Sequence, residues 1–322
     1  MKHYLKKLES TVKACWDQPA LTNYGGEVFS YGELATNIEK FHILFENCGI
    51  RKGEKIAICA KNNARWATAF WAGNTYEAVM VPILSDFTPD AITNLVNHSE
   101  SILLFTDSEI WDKLDPSAMP ALKSAINVGD FSILYSADGK IQKAYDNLSK
   151  KFSAKYPMGF SRENVIYPTD NSEDLALINY TSGTTSAPKG VMLKFDSLTA
   201  TVEYAQTNVT ATPEDTLVSM LPMAHMYGLA FELIYPLCSG VCIYYLGKTP
   251  SPTLLMKAMG QVRPFMVIAV PMIFEKIYRN RLLPEMKKPM VRILSSIPFL
   301  RRAVYGKMRS AIDESFGGKV RF

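Results

Sequence analysis

Apolar residues in the first third of the chain follow two alternating patterns, helical spacing and short unbroken runs. Ser30 and Glu33 form a capping box, and apolar residues then recur every three or four positions until Gly49, which predicts a helix between these ends. Thr88 and Pro89 predict another helix start, because proline is favoured at the first helical position. Short apolar runs predict buried strands at 56–60, 78–83 and 102–105.

This alternation, with a further helix predicted at 63–76, indicates the fold class. Short apolar strands separated by helices form mainly parallel sheets that are covered on both faces. We therefore expect an α/β fold of stacked, largely parallel sheets flanked by helices. Later strands are predicted at 175–180, 216–221, 241–245 and 265–270.

A polar interruption indicates where the fold divides. Residues 137–139 (Ala-Asp-Gly) mark a turn, and residues 143–159 are polar with a proline and a glycine near their end. We predict a first α/β subdomain at 1–167 and a second at 168–322. The chain closes on the strand-like residues 317–322 without a polar tail, which indicates that the second subdomain is truncated.

Composition indicates a globular protein, with 48% hydrophobic and 20% charged residues. No apolar run is long enough to cross a bilayer, and the N-terminus has no apolar signal core, so a cytoplasmic location is predicted. The five cysteines are scattered and odd in number, which argues against a disulfide framework. Cys238 and Cys242 have no second pair that would complete a zinc site, so they are predicted to be buried small residues.

The net charge of +4 is unevenly distributed. The basic stretch (residues 275–309) has ten basic and two acidic residues, a charge of +8, so the rest of the chain sums to −4. Two interpretations stay open: a solvated helical face, or a patch for anionic lipid headgroups or phosphates at the inner face of a membrane. No aromatic platform or reader motif accompanies these charges, so no nucleic-acid partner is expected.

The composition of residues 180–191, YTSGTTSAPKGV, indicates phosphate chemistry. Glycine lets backbone N–H groups turn toward a ligand, hydroxyl groups donate hydrogen bonds, and lysine adds a mobile positive charge. Threonine oxygen can also complete the shell of a magnesium ion that accompanies ATP. The lysine precedes a glycine and residues 191–193 predict a strand, so this is not a Walker A loop. The alternative is a Ser/Thr-rich surface turn.

Residues 180–191 closely resemble the phosphate-binding signature [YF]-T-S-G-[ST]-T-G-x-P-K-G-V of the adenylate-forming superfamily. Its members include acyl-CoA synthetases, luciferases and peptide-synthetase adenylation domains. Ser186 stands where glycine is usual. Residues 221–228, LPMAHMYG, resemble the second signature of the superfamily, in which an aromatic residue or histidine lies against the bound carboxylate and the α-phosphate. This context favours a functional role for His225, which in isolation would be read as a structural histidine.

Residues 270–278, VPMIFEKIY, resemble a segment of the long-chain fatty acyl-CoA synthetase branch, V-P-R-[VI]-[FW]-E-K-[IV]. The alternative is an ordinary amphipathic helix after a proline. Further resemblances extend the match along nearly the whole chain, at 29–34, 53–58, 79–83 and 317–322. The resemblance therefore implies a partial N-terminal domain of an adenylate-forming enzyme, without the C-terminal lid domain.

The resemblance implies ATP-dependent activation of a fatty acid as an acyl-adenylate, followed by transfer to coenzyme A, with ATP, Mg²⁺ and coenzyme A as cofactors or co-substrates. His225, Lys189 and Thr184 would be catalytic, and Thr184 would also contact magnesium. The implied nucleotide-binding residues are Thr181, Ser182, Gly183, Thr184, Thr185, Ser186 and Lys189. The implied acyl-binding residues are Tyr227, Gly228, Leu229, Val270 and Pro271.

Other elements of the superfamily are expected beyond Phe322, among them the Y-G-x-T-E segment and the lysine of the lid domain, so the chain by itself is expected to be inactive. Three alternatives stay open. They are a ligase for another acid or a carrier protein, a non-catalytic module that binds ATP or an acyl group, and a phosphotransferase that releases ADP.

Overall fold

A computed structural model describes residues 2–181, 189–247, 251–279, 283–296 and 298–322. The described strands are β1 (Pro19–Asn23), β2 (Val28–Ser30), β3 (Lys55–Cys59), β4 (Val79–Pro82), β5 (Leu103–Thr106), β6 (Ser124–Asn127), β7 (Ile133–Ser136), β8 (Leu175–Thr181), β9 (Lys189–Lys194), β10 (Thr216–Ser219) and β11 (Cys242–Tyr245).

The described α-helices are α1 (Tyr4–Ala14), α2 (Tyr31–Cys48), α3 (Ala64–Thr75), α4 (Pro89–Ser99), α5 (Ser108–Trp111), α6 (Lys140–Asp146), α7 (Leu148–Lys155), α8 (Phe195–Asn208), α9 (Met226–Gly228), α10 (Tyr235–Leu237), α11 (Pro252–Val262), α12 (Pro271–Ile277), α13 (Leu283–Lys287), α14 (Pro289–Ser296) and α15 (Pro298–Ser315). A π-helix (Leu229–Ile234) joins α9 to α10, and two short 3₁₀ turns lie at Pro116–Ala118 and Arg162–Asn164.

Two sheets form the core of the fold. The larger has seven strands in the order β7-β6-β5-β3-β4-β8-β9, and only its outermost pairs, β6 with β7 and β8 with β9, are antiparallel. The smaller has four strands in the order β10-β11-β1-β2, with β2 antiparallel. The predicted α/β fold with largely parallel sheets is confirmed. Each sheet takes strands from both sides of residue 167, and the division into 1–167 and 168–322 stays a prediction.

Helix α3 lies between the sheets and contacts β1 on one side and β3 and β4 on the other. Trp66, Phe70 and Trp71 are almost fully buried on it, and every residue from 64 to 75 except Arg65 is buried. A helix that is apolar on all sides needs partners on all sides, and the two sheets provide them. This helix therefore fixes the spacing between the sheets.

Helix ends agree with the sequence patterns. The Ser30 hydroxyl accepts a hydrogen bond from Glu33 N at 3.1 Å, and the Glu33 carboxylate accepts one from Ser30 N at 2.7 Å, which is the predicted capping box. Gly49 ends α2 in the left-handed region at φ 82°, which costs glycine little. Thr88 caps α4 with Pro89 at its start, as predicted.

The strand predicted at 265–270 is wrong. Only an isolated bridge joins Met266 to Leu217 of β10. Backbone hydrogen bonds link this segment to the end of the chain instead, from Arg321 N to Phe265 O at 2.7 Å and from Val267 N to Phe322 O at 3.1 Å. Phe265 and Met266 are buried, but the backbone partners of this segment do not form a regular ladder.

Two further observations bear on the sequence predictions. All five cysteines are free, and Cys238 and Cys242 are buried, as predicted. Among the described helices, none is both long and apolar enough to cross a membrane.

Candidate site at the carboxyl ends of the strands

A crevice of about 570 Å³ lies where the carboxyl ends of parallel strands from the two sheets face each other. Open α/β sheets bind ligands in the crevice outside the carboxyl ends of their strands, so this is the candidate site. Residues that follow β3, β4, β10 and β11 line it, namely Ala60, Lys61, Asn62, Leu84, Ser85, Asp86, Ser219, Met220, Pro222, Ala224, Leu246 and Gly247.

The hydroxyl-rich loop (residues 181–189) begins at the same edge of the larger sheet. It joins β8 to β9 as an antiparallel pair whose last register partners are Thr181 and Lys189, which confirms that the loop connects two strands. Because β8 runs parallel to β4, the base of the loop lies at the edge from which the crevice residues after β3 and β4 extend. Ser182, Gly183, Thr184, Thr185 and Ser186, with their predicted nucleotide and magnesium roles, lie outside the described residues.

The base of the loop is closely packed. A Cβ atom at Gly190 would lie 2.8 Å from Cγ2 of Ile178 and 3.3 Å from the ring of Tyr180, so this position requires glycine. The Tyr180 hydroxyl lies 2.7 Å from Nδ1 of His98 on α4, and burial raises the pKa of this phenol. This contact joins α4 to the strand from which the loop begins.

The strand-end segment (residues 219–225) leads from β10 to His225. The backbone of His225 is extended, with φ −91° and ψ 136°, its side chain is exposed, and α9 begins directly after it. His225 N donates to Pro222 O at 3.0 Å and its carbonyl accepts from Leu229 N at 2.9 Å. The segment therefore forms a tight turn that presents His225 at the start of a helix.

Three side chains from outside this segment hold it in place. Asn62 Nδ2 donates to Leu221 O at 2.6 Å, and Asn62 Oδ1 accepts from Met223 N at 3.0 Å. The buried Asn179 of β8 donates through Nδ2 to Ala224 O at 2.8 Å. These two amides join the segment to the edge of the larger sheet, beside the hydroxyl-rich loop.

The third side chain is Glu232, which is fully buried in the π-helix. Its Oε2 accepts hydrogen bonds from the Ser219 hydroxyl at 2.9 Å, Met220 N at 3.0 Å and Leu221 N at 2.9 Å. Burial raises the pKa of Glu232 to about 8, and the three hydrogen bonds oppose this shift. No sequence motif points to Glu232, Asn62 or Asn179. The one available signal was a lone carboxyl group within the apolar run 229–237.

The predicted acyl-binding residues occupy different environments. Tyr227 is 59% exposed and its ring centroid lies 4.9 Å from that of Phe231, whereas Leu229 is fully buried in the main core. Gly228 lies between them, and a Cβ atom there would be 2.7 Å from the carbonyl oxygen of Pro222. Val270 and Pro271 lie at the start of α12, and both are exposed.

An apolar cavity of about 660 Å³ begins one turn further along α12, at Phe274. It lies between α12, α13 and α15, with Met286, Tyr305 and Ile312 among its lining residues. Its lining is mostly hydrocarbon and aromatic side chains, so it can hold an apolar chain. The acyl-binding assignments themselves stay predictions.

Asp107 holds the backbone of one of the segments that line the crevice. Asp107 Oδ2 accepts a hydrogen bond from Lys61 N at 3.0 Å, and burial raises the pKa of this carboxyl group. Across the described ranges, no group of three or more His, Cys, Asp or Glu side chains could hold a metal ion.

The sequence matches the family of AMP-binding enzymes over residues 8–314. The peroxisomal long chain acyl-CoA synthetase 6 of Arabidopsis thaliana is 27% identical over 317 residues, which cover 91% of this chain and 43% of that protein. The chain spans less than half the length of the curated relatives it matches.

Solved structures share the fold. The N-terminal domain of FACL13 from Mycobacterium tuberculosis, solved with an inhibitor, has a TM-score of 0.70 at 18% identity and covers 90% of this chain and 68% of that one. The O-succinylbenzoate coenzyme A synthetase of Bacillus subtilis, solved with AMP, has a TM-score of 0.66 at 19% identity, with coverages of 87% and 65%. The match over residues 8–314, on a fold with its crevice at the strand ends, shows that the chain belongs to the AMP-binding enzyme family.

Proposed function

We propose that the chain binds ATP and a fatty acid for adenylation, the first step of a long-chain fatty acid–coenzyme A ligase. The observation that carries this proposal is the convergence of three features where the carboxyl ends of the two sheets face each other. The crevice, the base of the hydroxyl-rich loop and the strand-end segment before His225 all lie at the carboxyl ends of parallel strands. Family membership supports the reaction class.

The chemistry needs positioning more than proton transfer. A carboxylate oxygen attacks the α-phosphorus of ATP, the bond to the bridging oxygen breaks, and pyrophosphate leaves with its electron pair. Lys189 and the hydroxyl-rich loop would hold the β- and γ-phosphates, and His225 would donate a hydrogen bond to the carboxylate or the α-phosphate. Magnesium, contacted by Thr184, would neutralise part of the polyphosphate charge. A thiol then displaces AMP from the acyl carbon.

Two observations favour a fatty acid as the substrate. The segment 270–278 resembles the pattern of the long-chain branch, and the apolar cavity begins at Phe274 on the same helix. The long chain acyl-CoA synthetase of Arabidopsis is among the relatives, although at 27% identity. Ile312→Trp would fill part of the cavity, and we expect it to reduce activity with long acids more than with short ones.

Acid-dependent exchange of pyrophosphate into ATP by the complete gene product tests the proposal, with a series of fatty acids and with Lys189→Ala. Removing one preorganised charge that faces the phosphates should lower the exchange rate about 10²-fold. Lys194→Ala is the matched control, because Lys194 lies at the other end of β9 and its exposed side chain pairs with Glu173 at 2.7 Å. A surface pair of this kind contributes less than about 1 kcal/mol to stability.

The outcomes separate the alternatives. Failure of every acid to support exchange would overturn the ligase proposal and leave a binding module. Release of ADP instead of AMP and pyrophosphate would favour a phosphotransferase. Thioester formation with coenzyme A, compared with a carrier protein, identifies the acceptor.

We also propose that the basic stretch contacts an anionic membrane surface from the cytoplasmic side. Helices α14 and α15 expose large apolar side chains beside the basic ones, with Met290 72%, Ile293 63% and Phe299 79% exposed. Exposed apolar residues flanked by cations are typical of interfacial helices, and each cation near an anionic surface contributes about 1 kcal/mol. Binding to vesicles should increase with anionic lipid content and decrease with salt. Binding independent of both would favour the solvated-face interpretation.

A further inference from the structure

Glu232 is a fully buried acidic residue with apolar neighbours in the sequence. It lies within the apolar run 229–237, its side chain has no exposed area, and the described part of the chain contains no ion pair to it. Burying a carboxyl group without a cation costs free energy, so a residue at this place needs a compensating role. The surrounding helix is also unusual, since it is a π-helix, a form that is frequent at functional sites.

The contacts of Glu232 indicate what that role is. One oxygen accepts from Ser219 Oγ and from the backbone N–H groups of Met220 and Leu221, at 2.9 to 3.0 Å. These residues leave β10 at the wall of the crevice, where the strand has ended and no ladder partner remains for their N–H groups. Glu232 therefore replaces the missing ladder at the point where the chain turns toward His225.

Asn62 and Asn179 hold the same segment further along, at Leu221, Met223 and Ala224. The whole path from the strand end to His225 is thus fixed by side chains rather than by secondary structure. Of the three, only Glu232 is ionisable. The titratable group that faces it is Tyr245 of β11, whose hydroxyl is buried as well.

We propose that Glu232 is a positioning residue for adenylation, which holds the strand-end segment, and with it His225, against the crevice. This inference rests on the proposed function. Glu232 does not touch the reacting atoms, and it acts through the backbone of residues 219–221.

The proposal has a consequence for pH. Since burial raises the pKa of Glu232 to about 8, its carboxyl group is mostly neutral at neutral pH and becomes anionic above that value. A buried carboxylate without a cation favours hydration, so the segment should open as the pH rises, and the exchange rate should fall. Glu232→Gln keeps an oxygen acceptor but cannot ionise, so it should retain near-neutral activity and lack this alkaline decrease.

The experiment uses the complete gene product and two readouts. Pyrophosphate exchange is measured against pH for the wild type, Glu232→Gln and Glu232→Leu. Glu232→Leu should lower kcat about 10²-fold, as expected for a misplaced group, with little change in the KM for ATP. In Glu232→Leu, amide hydrogen exchange should be faster than in the wild type for residues 219–225 and unchanged elsewhere. If Glu232→Leu does not fold, Ser219→Ala, which removes one of the three donors, takes its place.

The control is Glu9→Gln, which removes a buried carboxylate on α1 that accepts a hydrogen bond from Tyr167 N at 3.2 Å. Glu9→Gln should show the same decrease in exchange rate at alkaline pH as the wild type. Identical pH profiles for the wild type and Glu232→Gln, or hydrogen exchange that is faster throughout the molecule in Glu232→Leu, would overturn the positioning role alone. A wild type without exchange activity for any acid would instead refute the proposed function, and this inference with it.

Discussion

Gly228→Ala tests how closely α9 must approach the strand-end segment. Gly228 has ordinary helical angles, φ −63° and ψ −46°, so alanine is allowed by the backbone. On helix propensity alone, the substitution would stabilise the protein by up to about 1 kcal/mol. Steric contact opposes this gain, because the added Cβ would lie 2.7 Å from Pro222 O and 3.1 Å from Cβ of Leu221.

The first of these contacts is with backbone, which cannot rotate away. Either α9 or the turn at Pro222 must shift by several tenths of an ångström, and strain of this kind in a packed region costs about 1–3 kcal/mol. The net result for Gly228→Ala is a destabilisation of up to about 2 kcal/mol. Because His225 lies between the two displaced parts, the rate of pyrophosphate exchange should fall as well.

Gly260→Ala is the matched control. Gly260 lies in α11, and among the described residues no atom outside the backbone of its own helix and its two chain neighbours lies within 4 Å of the position its Cβ would take. It should therefore show the propensity gain alone, and the free energies of unfolding of the two variants, measured in urea, should differ by about 1–3 kcal/mol. Equal stabilities, with normal exchange activity in Gly228→Ala, would refute the close approach.

Three further predictions concern buried polar groups. Burial raises the pKa of Glu232 from 4.5 to about 8, so the folded state retains a proton that the unfolded chain loses. Up to about 5 kcal/mol of stability should therefore be lost as the pH rises from 4.5 to about 8. Urea titrations at about pH 5 and about pH 9 should show a smaller loss for Glu232→Gln. Burial lowers the pKa of His42 from 6.5 to about 4, so stability should fall by up to about 3 kcal/mol as the pH drops between these values, and melting of His42→Asn should lack this decrease. Asn179→Ala leaves a buried carbonyl group unpaired and should cost about 1–3 kcal/mol in urea unfolding, whereas Asn208→Ala, at an exposed helical hydrogen bond, should cost about 0.5 kcal/mol or less.

Local chemistry made much of the fold predictable from the sequence. The residues that specify the capping box at Ser30 and the helix start at Thr88–Pro89 lie within a few positions of each other, and the structure contains both features. The buried strands β3, β4 and β5 are continuous apolar runs, and each was predicted to within one or two residues. In these cases the pattern and the tertiary environment favour the same conformation.

Strands whose pairing partners are remote in sequence could not be predicted from local patterns. β1 and β2, with the sequences PALTN and VFS, have no apolar run, and their pairing with each other and with β11 defines them. Conversely, residues 265–270 have the composition of a strand but lack a regular ladder. The residues of the candidate site also differ in whether a local sequence pattern identifies them. His225 has a signature around it, whereas Asn62, Asn179 and Glu232 become recognisable only when folding brings them to one segment.

The pairing of β1 with β11 constrains the order in which the molecule can form during synthesis. Leu21 lies opposite Ile243, so an early strand has no inner neighbour until most of the chain has left the ribosome. In the larger sheet, β4 likewise lacks its partner on one side until β8 has been synthesised. Contacts this remote in sequence slow folding and leave strand edges exposed for longer. A nascent chain that stalls before β8 has formed would present an unpaired edge of β1 in one sheet and of β4 in the other, and chaperones that shield exposed strands would bind it.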